Sequence, residues 1–343
     1  MKKIIDFRSD TVTKPSFEMR KAMYDAEVGD DVYGEDPTTN ELQEYAADLL
    51  GKESALFVTS GVMGNQICLN ILTNPGDEVI CEKDAHIFWY ESGSPAKLSG
   101  LQIHQIEGID GSLPVKKVKD AIRPQSAYYM PESKVIEVEN THNVAGGTII
   151  PLENIIELRK LADENNLFMH LDGARIWNAS VASGILVNEY AKYFDTVSCC
   201  LSKGLGAPIG SIIAGSKELM HKAFRVRKSI GGGMRQVGII AAAGLFALKN
   251  NISRLSEDHE KAKILAERIN ANPNLEININ SVQTNMLMFH PRTISVEQGL
   301  TLCKENGLLL SGGKVGLIRI VTHLDVTFDD VKKSADIIDE VFS

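Results

Sequence analysis

Residues 194–215 read FDTVSCCLSKGLGAPIGSIIAG: an apolar run, then Ser202 and Lys203, then a glycine-spaced turn and a second apolar run. Both runs are short, rich in Val and Ile and bounded by turn residues. They predict one buried strand over 195–202 and another over 210–215, with Lys203 in the loop between them. A lysine at a strand end is ordinarily a solvated edge residue, and position alone leaves that reading open.

Segments of the same kind recur on either side: SALFVTSG (54–61), GDEVICEK (76–83), SKVIEVEN (133–140) and LFMHLDGA (167–174). Helical patterns lie between them. In PLENIIELRKLADENN, Ile155, Leu158 and Ala162 recur at helical spacing and Pro151 opens the segment. This alternation predicts an α/β fold with a mostly parallel sheet covered by helices, in which ligands sit at the carboxyl ends of the strands. After the alanine-rich helix GIIAAAGLFALKNN the pattern changes. A charged helix, the strand candidates LEINI and TNMLMFH, a helix near 296–305, the pair LLLS and LIRIVTH, and a closing helix predict a smaller α+β domain over 252–343. The large domain then spans 1–251 and carries an N-terminal arm.

The whole composition, 43% hydrophobic and 24% charged, is that of an ordinary globular protein. A net charge of -9 argues against a nucleic-acid partner, since Arg225-Val226-Arg227-Lys228 is too short a basic cluster to outweigh it. The five cysteines form no CxxC pair and no zinc spacing, and they read as buried reduced thiols. MKKIIDFRSDTVTKPS lacks the apolar core of a signal peptide, and no segment reaches about 18 consecutive apolar residues. A cytoplasmic protein with no membrane partner is expected.

Three features change the reading of Lys203. Asp172 ends an apolar strand, where it could cap the next helix or meet a ligand. FVTSGVMGNQ is a strand running through a glycine turn into a helix, so its backbone N–H groups form a candidate phosphate cup. It lacks the Walker lysine and the full dinucleotide fingerprint. Phosphate cup, strand-end carboxylate and loop lysine are together the contacts that pyridoxal phosphate needs. The lysine takes its aldehyde as a Schiff base, and the aspartate keeps its ring nitrogen protonated. At ~4 Å and an effective dielectric of about 20 that carboxylate contributes on the order of 4 kcal/mol, roughly three pKa units. Arg319, inside the apolar strand pattern LIRIVTH, needs a carboxylate, from either a structural ion pair or a substrate. His86, beside Phe88, Trp89 and Tyr90, reads by itself as a core or surface residue.

RSDTVTKPS, GDDVYGEDPT, SGVMGNQ, AHIFWYE, ENTHN, DGARIWNA, CLSKGLGAPIGS, KSIGGGMRQ and LIRIVTHLDV resemble, in order and spacing, the motifs of the low-specificity L-threonine aldolases. These belong to the β-eliminating lyase-like branch of the fold-type I pyridoxal-phosphate enzymes, and the resemblance runs from Asp6 to the last helix. It implies that Lys203 is the Schiff-base lysine, with Ser202 beside it, and that Asp172 is the partner of the ring nitrogen. Arg175 would reach the cofactor's phenolic oxygen or the substrate carboxylate, while Ser60, Gly61 and Val62 hold the phosphate. Many relatives carry threonine where this chain has Val62. Lys228 and Arg235 would add positive charge near the phosphate from a neighbouring subunit. Arg319, joined by Ser9, would hold the amino-acid carboxylate. His86 would stack on the cofactor ring close to the substrate's β-hydroxyl, and Tyr129 stands at a position often implicated in catalysis.

The implied reaction is retro-aldol cleavage of L-threonine or L-allo-threonine, small β-hydroxy amino acids, to glycine and acetaldehyde. It would be carried out by a homotetramer built from dimers, with no metal demanded by any ligand cluster. A related β-eliminating lyase, a racemase or an aminotransferase would share the cofactor contacts. A non-catalytic pyridoxal-phosphate carrier would have no use for the arginine clamp.

Overall fold

The computed structural model describes residues 3–124 and 126–343. The chain begins with a short strand, β1 (Ile5–Asp6), and an arm that leads into the helix Phe17–Tyr24. Seven strands follow: β2 (Ser54–Val58), β3 (Glu78–Glu82), β4 (Gln102–Ile106), β5 (Ser133–Glu139), β6 (Phe168–Asp172), β7 (Thr196–Cys200) and β8 (Ser211–Gly215). They form one sheet in the order β2-β8-β7-β6-β5-β3-β4, in which only β8 runs against its neighbours. This is the mostly parallel sheet that the sequence predicts. β4, with the polar alternation QIHQI, escapes the sequence reading because an edge strand needs no apolar run to bury.

Successive side chains of a strand point to opposite faces, and here both faces are covered. Ala55 and Phe57 of β2, Val197 and Cys199 of β7 and Ile212 and Ala214 of β8 enter one core with the helices Pro37–Leu50, Leu152–Glu164 and Gly238–Asn250. Leu56, Val58 and Ile213 enter a second core on the other face, with the helix Gly61–Leu72. That helix leaves β2 at one edge of the sheet, crosses over β8, β7 and β6, and delivers the chain towards β3. Beneath it the sheet is not apolar. Glu137 and Glu139 of β5, His170 and Asp172 of β6, and Thr196 and Ser198 of β7 share this face, all buried.

The C-terminal part carries β9 (Leu275–Ile277), β10 (Met286–Pro291), β11 (Leu308–Leu309), β12 (Ser311–Gly312) and β13 (Ile318–Val321). Four of these form an antiparallel sheet in the order β12-β13-β10-β9, packed on the helices Leu255–Ala271 and Phe328–Val341. The strand LLLS of the sequence reading is split, and its first half, β11, pairs in parallel with β1. The arm, read from sequence as part of the 1–251 domain, therefore starts elsewhere. Ile5 and Phe7 are buried among Leu287, Phe289, Ile318 and Ile320 of the C-terminal core. The reason is pairing geometry: β11 offers a free edge that only a distant segment can fill.

Candidate active site

Because six strands run the same way, the loops that follow them lie along one rim, and a cavity of about 280 Å³ opens there. Its walls include Ser9, His86, Arg175, Lys203 and Arg319, residues spread over more than 300 positions of sequence. Lys203 stands in the loop between β7 and β8, and its carbonyl accepts from Thr13 Oγ1 of the arm at 3.2 Å. Its ammonium has no hydrogen-bond partner among the described residues.

Asp172 ends β6 and is almost fully buried. Its Oδ1 accepts from the Ala174 N–H at 3.0 Å and its Oδ2 from Asn65 Nδ2 at 2.7 Å. It does not cap the helix Ile176–Ser183, which has no side-chain cap. Burial opposes its charge, yet His86, Lys203 and the Asn65 bond together hold the carboxyl below its ordinary range. His86 opens a short helix (His86–Trp89); its N–H donates to Glu139 Oε2 at 2.9 Å, and Nδ1 lies 2.9 Å from Glu91 Oε1. Burial disfavours the imidazolium, but the Glu91 bond and the nearby Asp172 and Glu139 outweigh it and raise the His86 pKa above its usual value.

The arm seals the other side. Asp10 is fully buried and takes both Nε (2.8 Å) and Nη2 (2.7 Å) of Arg175. Burial alone would raise the Asp10 pKa, but the Arg175 guanidinium brings it down to about 2. Arg175 therefore commits two of its five N–H donors to the protein, which restricts the role implied by resemblance to the N–H groups of Nη1 and the second N–H of Nη2. Ser9 caps the adjacent short helix through Thr11 N–H at 3.2 Å. Arg319, on β13, donates to Asn143 Oδ1 at 3.0 Å and to the Arg8 carbonyl at 3.1 Å, with Ser311 Oγ at 3.4 Å. These are neutral acceptors, and no carboxylate lies within ion-pair distance among the described residues. Burial and the facing Arg175 lower the pKa of Arg319. Two guanidinium groups thus face one cavity with no protein anion for Arg319.

The candidate phosphate cup lies at the start of the helix Gly61–Leu72. Ser60 is the N-cap of the helix Gly61–Leu72 and accepts from Met63 N–H at 3.2 Å. The N–H groups of Gly61 and Val62 are left without partners among the described residues, as the start of a helix requires. A Cβ at Gly61 would stand 2.8 Å from Cys200 Sγ, so glycine is needed where the cup meets the end of β7. Ser202 is half-buried beside Lys203. Lys228 and Arg235 do not line the cavity; both are exposed, and Arg235 is paired with Asp30 at 2.8 Å. A Cβ at Gly232, between them, would stand 2.6 Å from Met63 Sδ, so this basic segment lies against the start of the helix Gly61–Leu72. Tyr129 lies before β5, at the opposite end of that strand from the cavity, and is exposed.

His86, Glu91 and Asp172 present ligand atoms within 4.8 Å of one another, a spacing that could in principle hold a cation. The Asn65 amide donates to both carboxylates, however, and a cation would have to displace it. Asn65, Glu91, Asp10 and Asn143 were not singled out by the sequence reading. The signal for Asn65 was present, an Asn-Gln pair within the otherwise apolar GVMGNQICLNIL. Asp10 and Asn143 carry no comparable mark, since their partners are 165 and 176 positions away.

Comparison with known proteins gives the family. The model of the beta-eliminating lyase family matches residues 6–292. The chain is 42% identical to low-specificity L-threonine aldolase 1 of Arabidopsis thaliana over 95% of its own length and 93% of that protein's. It is also 42% identical to the low specificity L-threonine aldolase of Escherichia coli (strain K12), over 97% of each. Among solved structures, a threonine aldolase of Leishmania major superposes with a TM-score of 0.84, covering 98% of this chain and 99% of that one. At 19% identity that likeness concerns the fold.

Proposed function

The chain belongs to the beta-eliminating lyase family of pyridoxal-phosphate enzymes, and from that membership we propose how its own residues perform the reaction of a low-specificity L-threonine aldolase. It is a carbon–carbon lyase that cleaves L-threonine and L-allo-threonine to glycine and acetaldehyde. The observation that carries the assignment of roles is Arg319, a half-buried guanidinium in the cavity of Lys203 and His86 that no protein carboxylate neutralises.

The residues present fit the cofactor. Lys203 would hold its aldehyde carbon, Asp172 its ring nitrogen, and the free N–H groups of Gly61 and Val62, with Ser60 and Ser202 beside them, its phosphate. Pyridoxal phosphate supplies, when bound, a carbonyl that joins an amino group and a pyridinium ring that accepts the electron pair of the breaking bond. Everything else is done by the chain. Arg319, with Ser9 and the free N–H groups of Arg175, binds the substrate carboxylate and so fixes the orientation of the bonds at the α-carbon. His86, or a water it orients, takes the proton from the β-hydroxyl, its ring held through Nδ1 by Glu91. The arm, pinned through Asp10 to Arg175 and through Thr13 to the Lys203 loop, keeps bulk water from that side.

For the assembly we propose a cytoplasmic homotetramer made of two dimers, in which Lys228 and Arg235 of one chain serve the phosphate end of a neighbour's site. Their exposure beside the triple glycine supports this, as do five unpaired buried cysteines, which suit a reducing compartment. The test is acetaldehyde release from L-threonine and L-allo-threonine, measured by coupled aldehyde reduction, with Lys203→Ala as control. Aldehyde from both substrates and none from the control is expected. 2-Oxobutanoate with ammonia, or the epimer inverted at the α-carbon, would replace the reading by elimination or racemisation.

A further inference from the structure

The helix Gly61–Leu72 lays two buried amides, Asn65 and Gln66, on the polar stripe of β5, β6 and β7. Asn65 Nδ2 donates at 2.7 Å to Asp172 Oδ2 and at 2.8 Å to Glu91 Oε1, and Glu91 Oε1 in turn meets His86 Nδ1 at 2.9 Å. Gln66 Nε2 takes the other oxygen of Glu91 at 2.6 Å. The orientation of the Asn65 amide is forced, because the flipped form would set its carbonyl oxygen against two carboxylates. Its Oδ1 is then an acceptor, and it receives His170 Nε2 at 3.2 Å, while His170 Nδ1 meets Thr196 Oγ1 at 2.9 Å. Burial holds the His170 pKa down to about 4, so the ring is neutral and carries one N–H. Each partner of Asn65 is therefore fixed by a further bond behind it.

We propose that Asn65 is a positioning residue which, through one amide nitrogen, locks the carboxylate that meets the cofactor's ring nitrogen to the carboxylate that backs His86. This rests on the functional reading above and adds a residue to it. The consequence is specific. A buried carboxylate deprived of a donor resists ionisation. Asp172 is faced by His86, Lys203 and His170 among the bases and by Glu91, Glu137 and Glu139 among the acids. With Asn65 in place it stays ionised through the neutral range; without it, protonation of Asp172 moves upward in pH and the ring nitrogen loses its partner as pH falls.

The experiment is the dissociation constant of pyridoxal 5'-phosphate from the protein at pH 8 and pH 6, without substrate, for wild type, Asn65→Ala and Asn65→Leu. Leucine keeps the branched shape and removes every hydrogen bond, which separates lost packing from lost bonding. Expected are a change below about twofold between the two pH values in wild type, and at least tenfold weaker binding in both variants, steeper at pH 6. Restored wild-type affinity and a flat pH response in Asn65→Leu would show Asn65 to be packing alone and overturn the proposal. A wild-type chain that does not bind the cofactor overturns the functional reading and this proposal together. Binding without aldehyde release overturns the substrate only.

Discussion

Arg319 and His86 show how differently two charged side chains serve one cavity. Arg319 alternates with the fully buried Ile318 and Ile320, so its strand is anchored by their burial while the guanidinium faces the site. Truncating one partner of a desolvated charge pair costs about 2–5 kcal/mol, so Arg319→Ala should raise KM for L-threonine by at least about thirtyfold. The cofactor should stay bound, as its absorbance would report; an unchanged KM would falsify the clamp. His86 has its pKa raised by Glu91, Asp172 and Glu139 against the effect of burial. A base must be neutral to act, so activity should fall as pH drops through a value above 6.5, the ordinary histidine pKa. Glu91→Gln removes a negative charge and keeps a hydrogen-bonding side chain. The acid limb of kcat/KM should move to lower pH in that variant, and a limb that stays in place would remove His86 from the role.

At the scale of elements, the arm is the least regular segment and the most committed. It runs from β1 past Ser9, Asp10 and Thr13, and it bonds groups 165 to more than 300 positions away, among them the Arg175 side chain, the Lys203 carbonyl and Arg319. Asp10 sets its acid sensitivity. Its pKa is ordinary, 3.8, in the unfolded chain and about 2 when docked. The pair therefore stabilises fully above pH 4 and is lost as pH falls towards 2, an effect on the order of 2 kcal/mol. Asp10→Asn leaves Arg175 unpaired and should cost about 3–5 kcal/mol at pH 7. The gap between wild type and variant in urea midpoint should shrink at pH 3, because Asp10 is then mostly protonated in the unfolded chain while it is still ionised when docked. A gap independent of pH would show that the charge of Asp10 is not what holds the arm.

At the scale of the whole molecule, the arm is buried in the C-terminal core and bonded to the loops of the seven-stranded sheet, so it ties the two together at the cavity. Phe7 is fully buried in the C-terminal core, its N–H bonded to the Leu309 carbonyl and its own carbonyl to Val321 N–H. Phe7→Ala should cost about 3–5 kcal/mol, read from denaturant unfolding. KM should also rise, since Ser9 and the Arg8 carbonyl that steadies Arg319 follow Phe7 directly. Loss of stability with an unchanged KM would mean that core and site are uncoupled.

What the amino-acid order determined alone was whatever depends on near neighbours. The strands β2, β3, β5, β6, β7 and β8, the cup at Ser60 to Val62, and the places of Asp172 and Lys203 at strand ends all follow from period, turn residues and caps within about ten positions. Even the polar stripe under the cup helix is written as alternation in KVIEVE and FMHLD, although only the sheet order brings the two together. The tertiary structure decided the rest: that β1 pairs with β11, that Asp10 occupies Arg175, that Arg319 meets no protein carboxylate, and that Asn65 joins two carboxylates 81 positions apart in sequence. Hydrogen bonds act over about 3 Å regardless of sequence separation. Which distant groups come within that reach is set by strand order and by the path of one helix across the sheet, which no local pattern encodes.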